Sequence, residues 1–141
     1  MTMANNPPAV VMKAFTWAYQ ELGLTRCEAA QILGISEQAL DTTSLVGFDV
    51  NSDESEVQVA FIRMYHLLYA LSDGDTDLML DWFTRHNPHL NTVPKTTCSN
   101  LAGITYISDY LHSNYGDKPL ANLPFMASHQ AEQNEPQPVV R

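Results

Sequence analysis

TRCEAAQILGISEQAL, residues Thr25 to Leu40, is the stretch that decides the predicted fold. Thr25, followed three residues later by Glu28, is a capping box, which marks the N-terminus of a helix. Gly34 ends this helix, and Ser36 caps a second, shorter one. A helix, a glycine-containing turn and another helix at this spacing predict a helix-turn-helix unit.

Outside this unit, the apolar residues recur mostly at helical spacing, and the strand signal is weak throughout. Glycine or Asn-Pro separates the predicted helices. We therefore expect an all-α fold, in which a helix-turn-helix N-terminal unit is followed by a second, small helical domain. The other predicted helices run from Pro7-Pro8 to Gly23, from Ser52 or Asp53 to Leu71, from a Thr76 cap to just before Asn87-Pro88, and, after an irregular segment, from a Ser99 or Asn100 cap onward.

Changes in composition divide the chain into three predicted regions. Residues 1–46 form the helix-turn-helix unit, residues 54–115 the helical domain, and residues 116–141 a tail. The tail ends in QAEQNEPQPVVR, a polar sequence that buries little apolar surface, so we expect it to be largely disordered. Its segment from Pro119 to Gln130 carries apolar residues, and two hypotheses stay open for it: folding on a partner, or docking on the body of the chain.

The charge of the chain limits its partners. Sixteen acidic residues against seven basic ones give a formal net charge of −9. This balance disfavours nonspecific binding to nucleic acid and to anionic membranes, and it suits a basic protein partner or simply keeps the protein soluble. We expect a cytoplasmic protein, because no apolar run approaches ~20 residues and the N-terminus lacks the pattern of a signal peptide. In that compartment Cys27 and Cys98 are expected to be free thiols.

Motifs for catalysis and for metal binding are weak in this sequence. It has no glycine-rich phosphate loop, no Cys-x-x-Cys and no nucleophile elbow. His86 and His89 are separated by Pro88, which prevents one helix from aiming both rings at a metal. The sequence DGDTD, residues 73–77, begins like a calcium loop, but Leu78 stands where such a loop needs glycine. We therefore expect a protein that is not an enzyme and has no cofactor or metal.

Three residues of the helix-turn-helix unit are candidates for contact with DNA. Ser36 and Gln38 lie where side chains of a recognition helix reach base edges, and Arg26 lies where a phosphate contact is made. However, no Lys or Arg occurs from Cys27 to Ile62. Phosphate contacts dominate affinity for DNA, so the alternative is that the unit is a packing scaffold.

The stretch LDWFTRHNPHLNTVP, from Leu80 to Pro94, predicts a rigid corner between helices. Each proline locks its own backbone angle. Arg85 is expected to be free to pair with carboxylates or with a partner, and Trp82 either packs the corner as a core residue or contacts the partner. The candidate partner-binding residues are Trp82, Arg85, Asn87, Pro88, Leu90, Pro94 and Lys95.

The order of these motifs resembles a known family. From about Ser55 to Leu111 the chain is similar to the toxin-binding domain of the Xre/MbcA/ParS antitoxin family, and its N-terminal half is similar to the Xre-like helix-turn-helix that precedes this domain. It departs from the family pattern at Asn91-Thr92, where glycine is frequent, and at the polar stretch KTTC, Lys95 to Cys98. The residues that carry the resemblance are Trp82, Asn87-Pro88-His89-Leu90, Pro94, Gly103, Ile107 and Asp109 to Leu111.

The resemblance implies an all-helical, usually dimeric antitoxin. Such a protein covers the active site of a cognate toxin that resembles an ADP-ribosyltransferase and consumes NAD, and it often represses its own promoter. We therefore expect an antitoxin-like homodimer that occludes its toxin. Two rivals stay open: a transcriptional regulator that acts on DNA without a toxin, and an adaptor that binds another regulatory protein.

Overall fold

The structure, a computed structural model, describes residues 7–115, the last two by their backbone alone. The predicted tail, with its segment from Pro119 to Gln130, lies outside the described residues. Within residues 7–115 the protein is all-α, as predicted, and no strand forms. No helix in this part of the chain has the length and apolar character needed to cross a membrane. The helices are α1 (Pro8–Glu21), α2 (Arg26–Leu33), α3 (Glu37–Thr43), α4 (Asp53–Leu71), α5 (Thr76–Thr84), α6 (Pro94–Thr97) and α7 (Leu101–Tyr115).

The capping motifs begin helices where the sequence predicted. In the capping box, the Thr25 hydroxyl accepts from the backbone N–H of Glu28 at 3.1 Å, and the Glu28 carboxylate accepts from the Thr25 N–H at 2.9 Å. Ser36 caps α3 and Ser52 caps α4 with the hydroxyl group alone, which accepts the N–H of Ala39 and of Ser55 respectively. Gly34 ends α2 with φ +72°, a left-handed conformation that glycine adopts without strain.

Two predicted details of the second half are wrong. The cap of α5 is Asp75 rather than Thr76, because the Asp75 carboxylate accepts the Leu78 N–H at 3.1 Å and Thr76 is already helical. Both residue types are good caps, and the sequence does not rank neighbours in such a run. The segment predicted to be irregular contains the short helix α6, which starts at Pro94, where the missing N–H of proline costs nothing.

The core is centred on α4, which packs most extensively against α7 and α1. Phe15 of α1 meets Phe61 of α4 edge to face, with ring centroids 5.5 Å apart. Both rings are fully buried, as are Trp82 of α5 and Ile104 of α7. Buried residues from α1–α3 and from α4–α7 thus belong to one continuous hydrophobic cluster. Burial of this kind of surface is the dominant force that holds helices together.

A glycine allows α6 and α7 to approach each other closely. A Cβ atom at Gly103 would overlap the main-chain carbonyl oxygen of Thr97, the last residue of α6. The Gly103 N–H donates to the Asn100 side chain at 2.8 Å. Of the two predicted caps of α7, Ser99 and Asn100, it is therefore Asn100 that makes the capping hydrogen bond. The short helix α6 is therefore held directly against the first turn of α7.

Candidate functional site

Aromatic side chains in the core support the corner, which is the name used from here on for residues 82–95. Trp82 and Phe83 are both 0% exposed and pack with Met79 in the core. The Trp82 indole N–H is buried without a hydrogen-bond partner among the described residues. Trp82 therefore shapes the corner from inside, and in this conformation it offers no surface to a partner.

Asn87 closes the loop of the corner through hydrogen bonds that are shielded from water. It is 0% exposed, and its side-chain oxygen accepts the N–H of His89 at 2.8 Å and that of Leu90 at 3.2 Å. Its own N–H donates to the Thr92 carbonyl at 2.8 Å, and its carbonyl accepts from Asn91 at 2.7 Å. Hydrogen bonds of this kind fix a backbone that no regular helix supports. Asn87 is thus the organising residue of the loop.

Asn91 occupies the position where the resembled family often has glycine. Its φ is +58°, in the left-handed region. Glycine enters that region freely, and asparagine is one of the few other residues that adopts it readily. The departure from the family pattern therefore preserves the backbone conformation that the turn requires.

Arg85 pairs with a carboxylate of its own chain, which is one of the two alternatives that the sequence left open. Its guanidinium lies 3.1 Å from the carboxylate of Asp81, one helical turn earlier, and its Nε donates to the same oxygen at 3.2 Å. The side chain is 30% exposed, so a partner can reach it but has to compete with Asp81. Such a pair contributes little to stability, on the order of 0–1 kcal/mol, so a partner's acidic group can displace Asp81 with little loss of stability.

Lys95 connects the corner to the unit formed by α2 and α3. Its ammonium lies 3.2 Å from one oxygen of Glu28, whose other oxygen takes part in the capping box of α2. The pKa of Glu28 is lowered, mainly by the hydrogen bond from the Thr25 N–H and further by Lys95. One carboxylate therefore serves both the start of α2 and the end of the corner.

The remaining candidates differ in what they offer to a partner. Pro88 and His89 are exposed, Leu90 and Lys95 are half-buried, and Pro94 is buried. The corner thus exposes a short ridge, formed by Pro88, His89 and Leu90. The charged side chains of Arg85 and Lys95 border this ridge. Pro94, like Trp82 and Asn87, can act on a partner only through the shape it gives to this ridge.

The three candidates for DNA contact are exposed, but their polar groups are largely engaged. Arg26 lies 3.3 Å from Glu37 and 3.0 Å from Asp41, both on α3, and so its charge is offset within the unit. The Ser36 hydroxyl caps α3 by accepting the Ala39 N–H at 3.0 Å. Gln38 is exposed. The unit therefore presents carboxylates where a DNA-binding surface needs unpaired cations.

A group of exposed apolar side chains was not predicted from the sequence. Trp17 is 60% exposed and Leu45 is 86% exposed. The signal was present for Trp17, because it lies off the buried stripe of α1, on which Phe15 and Ala18 stand. A tryptophan on the opposite face of an amphipathic helix is expected to reach solvent. Nothing in the sequence placed Leu45 near it.

The two cysteines are free, as predicted, and lie in different surroundings. Cys27 is exposed on α2, and Cys98 is buried after α6. Burial raises the pKa of Cys98 to about 12, which keeps it a protonated thiol at neutral pH. Residues 7–115 contain no group of three His, Cys, Asp or Glu side chains that could hold a metal ion.

Comparison with known proteins adds no relative. No protein-family model matches the chain, and no curated protein is significantly similar to it. Its resemblance to the antitoxin family therefore rests on the ordered motifs from Trp82 to Leu111 and on the helix-turn-helix pattern.

Proposed function

We propose that this protein is an antitoxin-like binding protein, which occludes the active site of a cognate NAD-consuming toxin with its corner. The observation that supports the proposal best is the construction of the corner, in which Asn87 organises an exposed ridge from inside the core. A binding loop that is ordered before the partner arrives loses little conformational entropy on association. The ridge is therefore suited to insertion into a preformed cleft.

The chemistry at the ridge suits binding more than catalysis. Arg85 and Lys95 border it, and both are held by single exposed or half-exposed carboxylates of the chain. Because exposed ion pairs are weak, acidic groups of a partner can replace Asp81 and Glu28 at small cost. The proposed mechanism is steric occlusion, with these two cations adding specificity.

An adaptor that binds another regulatory protein is the second candidate function. Its support is the electrostatics of α2 and α3, where Arg26 is offset by two carboxylates and no other Lys or Arg follows before Arg63. That surface suits a basic protein better than it suits DNA. Promoter binding is accordingly the weakest part of the antitoxin proposal.

The experiment that tests the proposal is recovery of the native partner. The tagged full-length chain is used as bait in its native host, in parallel with Arg85→Ala, Lys95→Ala and the matched control Arg63→Ala, which changes an exposed cation on α4. The recovered protein is identified by mass spectrometry, purified and assayed for NAD consumption. Light scattering on the complex gives the stoichiometry and shows whether the bait is a homodimer.

The antitoxin proposal predicts one small protein that consumes NAD. Its activity is expected to stop on addition of the purified chain, and its recovery is expected to fall with Arg85→Ala and Lys95→Ala but not with Arg63→Ala. Circular dichroism shows whether each variant is folded. A transcription factor or signalling protein without NAD-consuming activity would support the adaptor instead. Equal loss with all three variants would exclude the corner as the binding surface.

A further inference from the structure

A second surface, separate from the corner, has the character of a binding groove. The α1 groove, as we call it, is an open depression of about 580 Å³ between the outer face of α1 and the residues that follow α3. Val10, Lys13 and Trp17 line it from α1, at spacings of three and four residues that place them in one row. Leu45 lines it from the other side.

The apolar side chains of the α1 groove are unusually exposed. Leu45 is 86%, Trp17 60% and Val10 50% exposed. Single exposed apolar residues are ordinary, but several of them around one depression mark an interaction site. Tryptophan is also the residue type most enriched among those that dominate binding energy. The groove therefore has the apolar anchor that a protein partner needs.

The charge of the α1 groove is opposite to that of the chain as a whole. Lys13 lines it, and no carboxylate does. Three other cations among the described residues are offset, since Arg26, Arg85 and Lys95 each pair with a carboxylate. Lys13 has no such pair in residues 7–115. An unpaired ammonium beside an indole and aliphatic side chains fits a partner that brings its own acidic group.

A second copy of this chain fits the groove poorly. In a two-fold contact, the same surface meets itself. Two α1 grooves face to face would bring two Lys13 side chains together without any lining carboxylate between them. Like charges brought together in an apolar contact are costly, so the charge pattern favours a different protein.

We propose that the α1 groove binds an amphipathic helix of another protein, with a carboxylate in its apolar face that pairs with Lys13. A helix laid in a groove presents side chains at the spacing of the row Val10, Lys13 and Trp17. Its apolar residues pack on Trp17 and Leu45. The groove shares no residue with the corner, so this inference does not depend on the proposed occlusion of a toxin.

The indole of Trp17 reports directly on occupancy of the groove. Acrylamide quenches exposed tryptophan, whereas Trp82, the second tryptophan of the chain, is 0% exposed. Two synthetic amphipathic helical peptides without Trp or Tyr serve as probes. They have the same leucine-rich face and differ at its central position, which is Glu in one and Lys in the other. Quenching of the full chain is titrated with each peptide.

The Glu peptide is expected to protect Trp17 and to bind at least about tenfold more tightly than the Lys peptide. The reason is that Glu attracts the Lys13 ammonium, whereas Lys repels it. Lys13→Glu is expected to reverse that order. Leu45→Ser is expected to weaken the binding of both peptides, whereas Val50→Ser, a similar change at an exposed apolar residue outside the groove, leaves binding unchanged.

Three results would overturn the proposal. In the first, neither peptide protects Trp17 from quenching. In the second, Lys13→Glu leaves the order of the two peptide affinities unchanged. In the third, protection of Trp17 grows with protein concentration when no peptide is present. The last result would assign the groove to a second copy. Because neither peptide consumes NAD or contacts the corner, failure here leaves the toxin-occlusion experiment unaffected, and the reverse also holds.

Discussion

The unit formed by α2 and α3 and the corner are both shaped by polar side chains, but they place those side chains differently. In the unit, Thr25 and Ser36 cap helices at the surface, where water can replace a lost hydrogen bond. In the corner, Asn87 makes its hydrogen bonds with no exposed area at all. A surface cap improves a helix that packing already stabilises, whereas a buried polar residue has no substitute. The corner should therefore be much more sensitive to substitution.

The largest effect is expected for the aromatic support of the corner. Trp82→Ala should lower the free energy of unfolding by about 3–5 kcal/mol, because it leaves a cavity in the core. Urea denaturation followed by circular dichroism measures the change. The matched control is Trp17→Ala on the exposed face of α1, which should change stability by less than about 1 kcal/mol. Similar losses for both would mean that the corner is not packed as described.

Gly103→Ala should come next. Alanine normally favours a helix over glycine by about 1 kcal/mol, so an unconstrained site would gain stability. Here the added Cβ overlaps the Thr97 carbonyl oxygen, and we expect a loss of about 2–3 kcal/mol because backbone has to move. The control is Ala102→Gly at the preceding, exposed position. It should cost about 1 kcal/mol or less, as measured by the same denaturation curves.

Asn87→Ala should cost about 1–3 kcal/mol, because it removes the side-chain acceptor of the His89 N–H, whereas the Leu90 N–H keeps the main-chain carbonyl of residue 87. Ser36→Ala, the matched change at a surface cap, should cost about 1 kcal/mol. Amide hydrogen exchange distinguishes the two further. Protection should fall across residues 87–92 in the first variant and only in the first turn of α3 in the second. If both variants lost the same stability and lost amide protection only locally, the buried Asn87 would be no more important to the fold than a surface cap.

The smallest effect concerns the carboxylate that joins the two regions. Because the folded pKa of Glu28 lies below its ordinary value of 4.5, its ionised form stabilises the fold above that pH. The stabilisation is lost as pH falls through the lowered pKa. Glu28→Gln keeps a capping hydrogen bond but removes the charge, so its deficit relative to the parent chain at pH 7 should shrink below about pH 4.5.

A double-mutant cycle identifies the partner of that charge. Glu28→Gln and Lys95→Met should show a coupling of about 0.2–1 kcal/mol at pH 7, as exposed ion pairs do, and less at high salt. Denaturation midpoints of the four proteins at two salt concentrations provide the measurement. A coupling of zero at low salt would mean that the corner and α2 are energetically independent.

The same contrast explains how far the sequence could be interpreted. The helices and most caps were predictable because a cap and its acceptor lie three residues apart, as in Thr25 and Glu28. The corner was recognised from its prolines, which act on their own backbone. In contrast, the pair of Lys95 with Glu28 spans two regions of the chain, and no local pattern specifies it.

The candidate surfaces were predictable to different degrees. The sequence suggested a DNA phosphate for Arg26, and carboxylates or a partner for Arg85. The pair of Arg85 with Asp81 is local, since the two residues are four apart on the chain, whereas the pairs of Arg26 with α3 depend on how two helices pack. The α1 groove combines a helix face with Leu45, a residue of the connector after α3, and such a combination exists only in three dimensions. The short helix α6 was missed because its polar residues carry no helical stripe.

The two cysteines of this protein differ in exposure, so their reaction with a thiol reagent can report how often the fold opens locally. A thiol reagent should modify Cys27 in the native state, because its side chain is exposed, which provides a single attachment point for a probe on α2. Cys98 should react only when the segment between α6 and α7 comes apart, since its sulfur is buried and its pKa is about 12. The delay between the first and the second adduct, followed by intact-protein mass, measures how often that part of the fold opens.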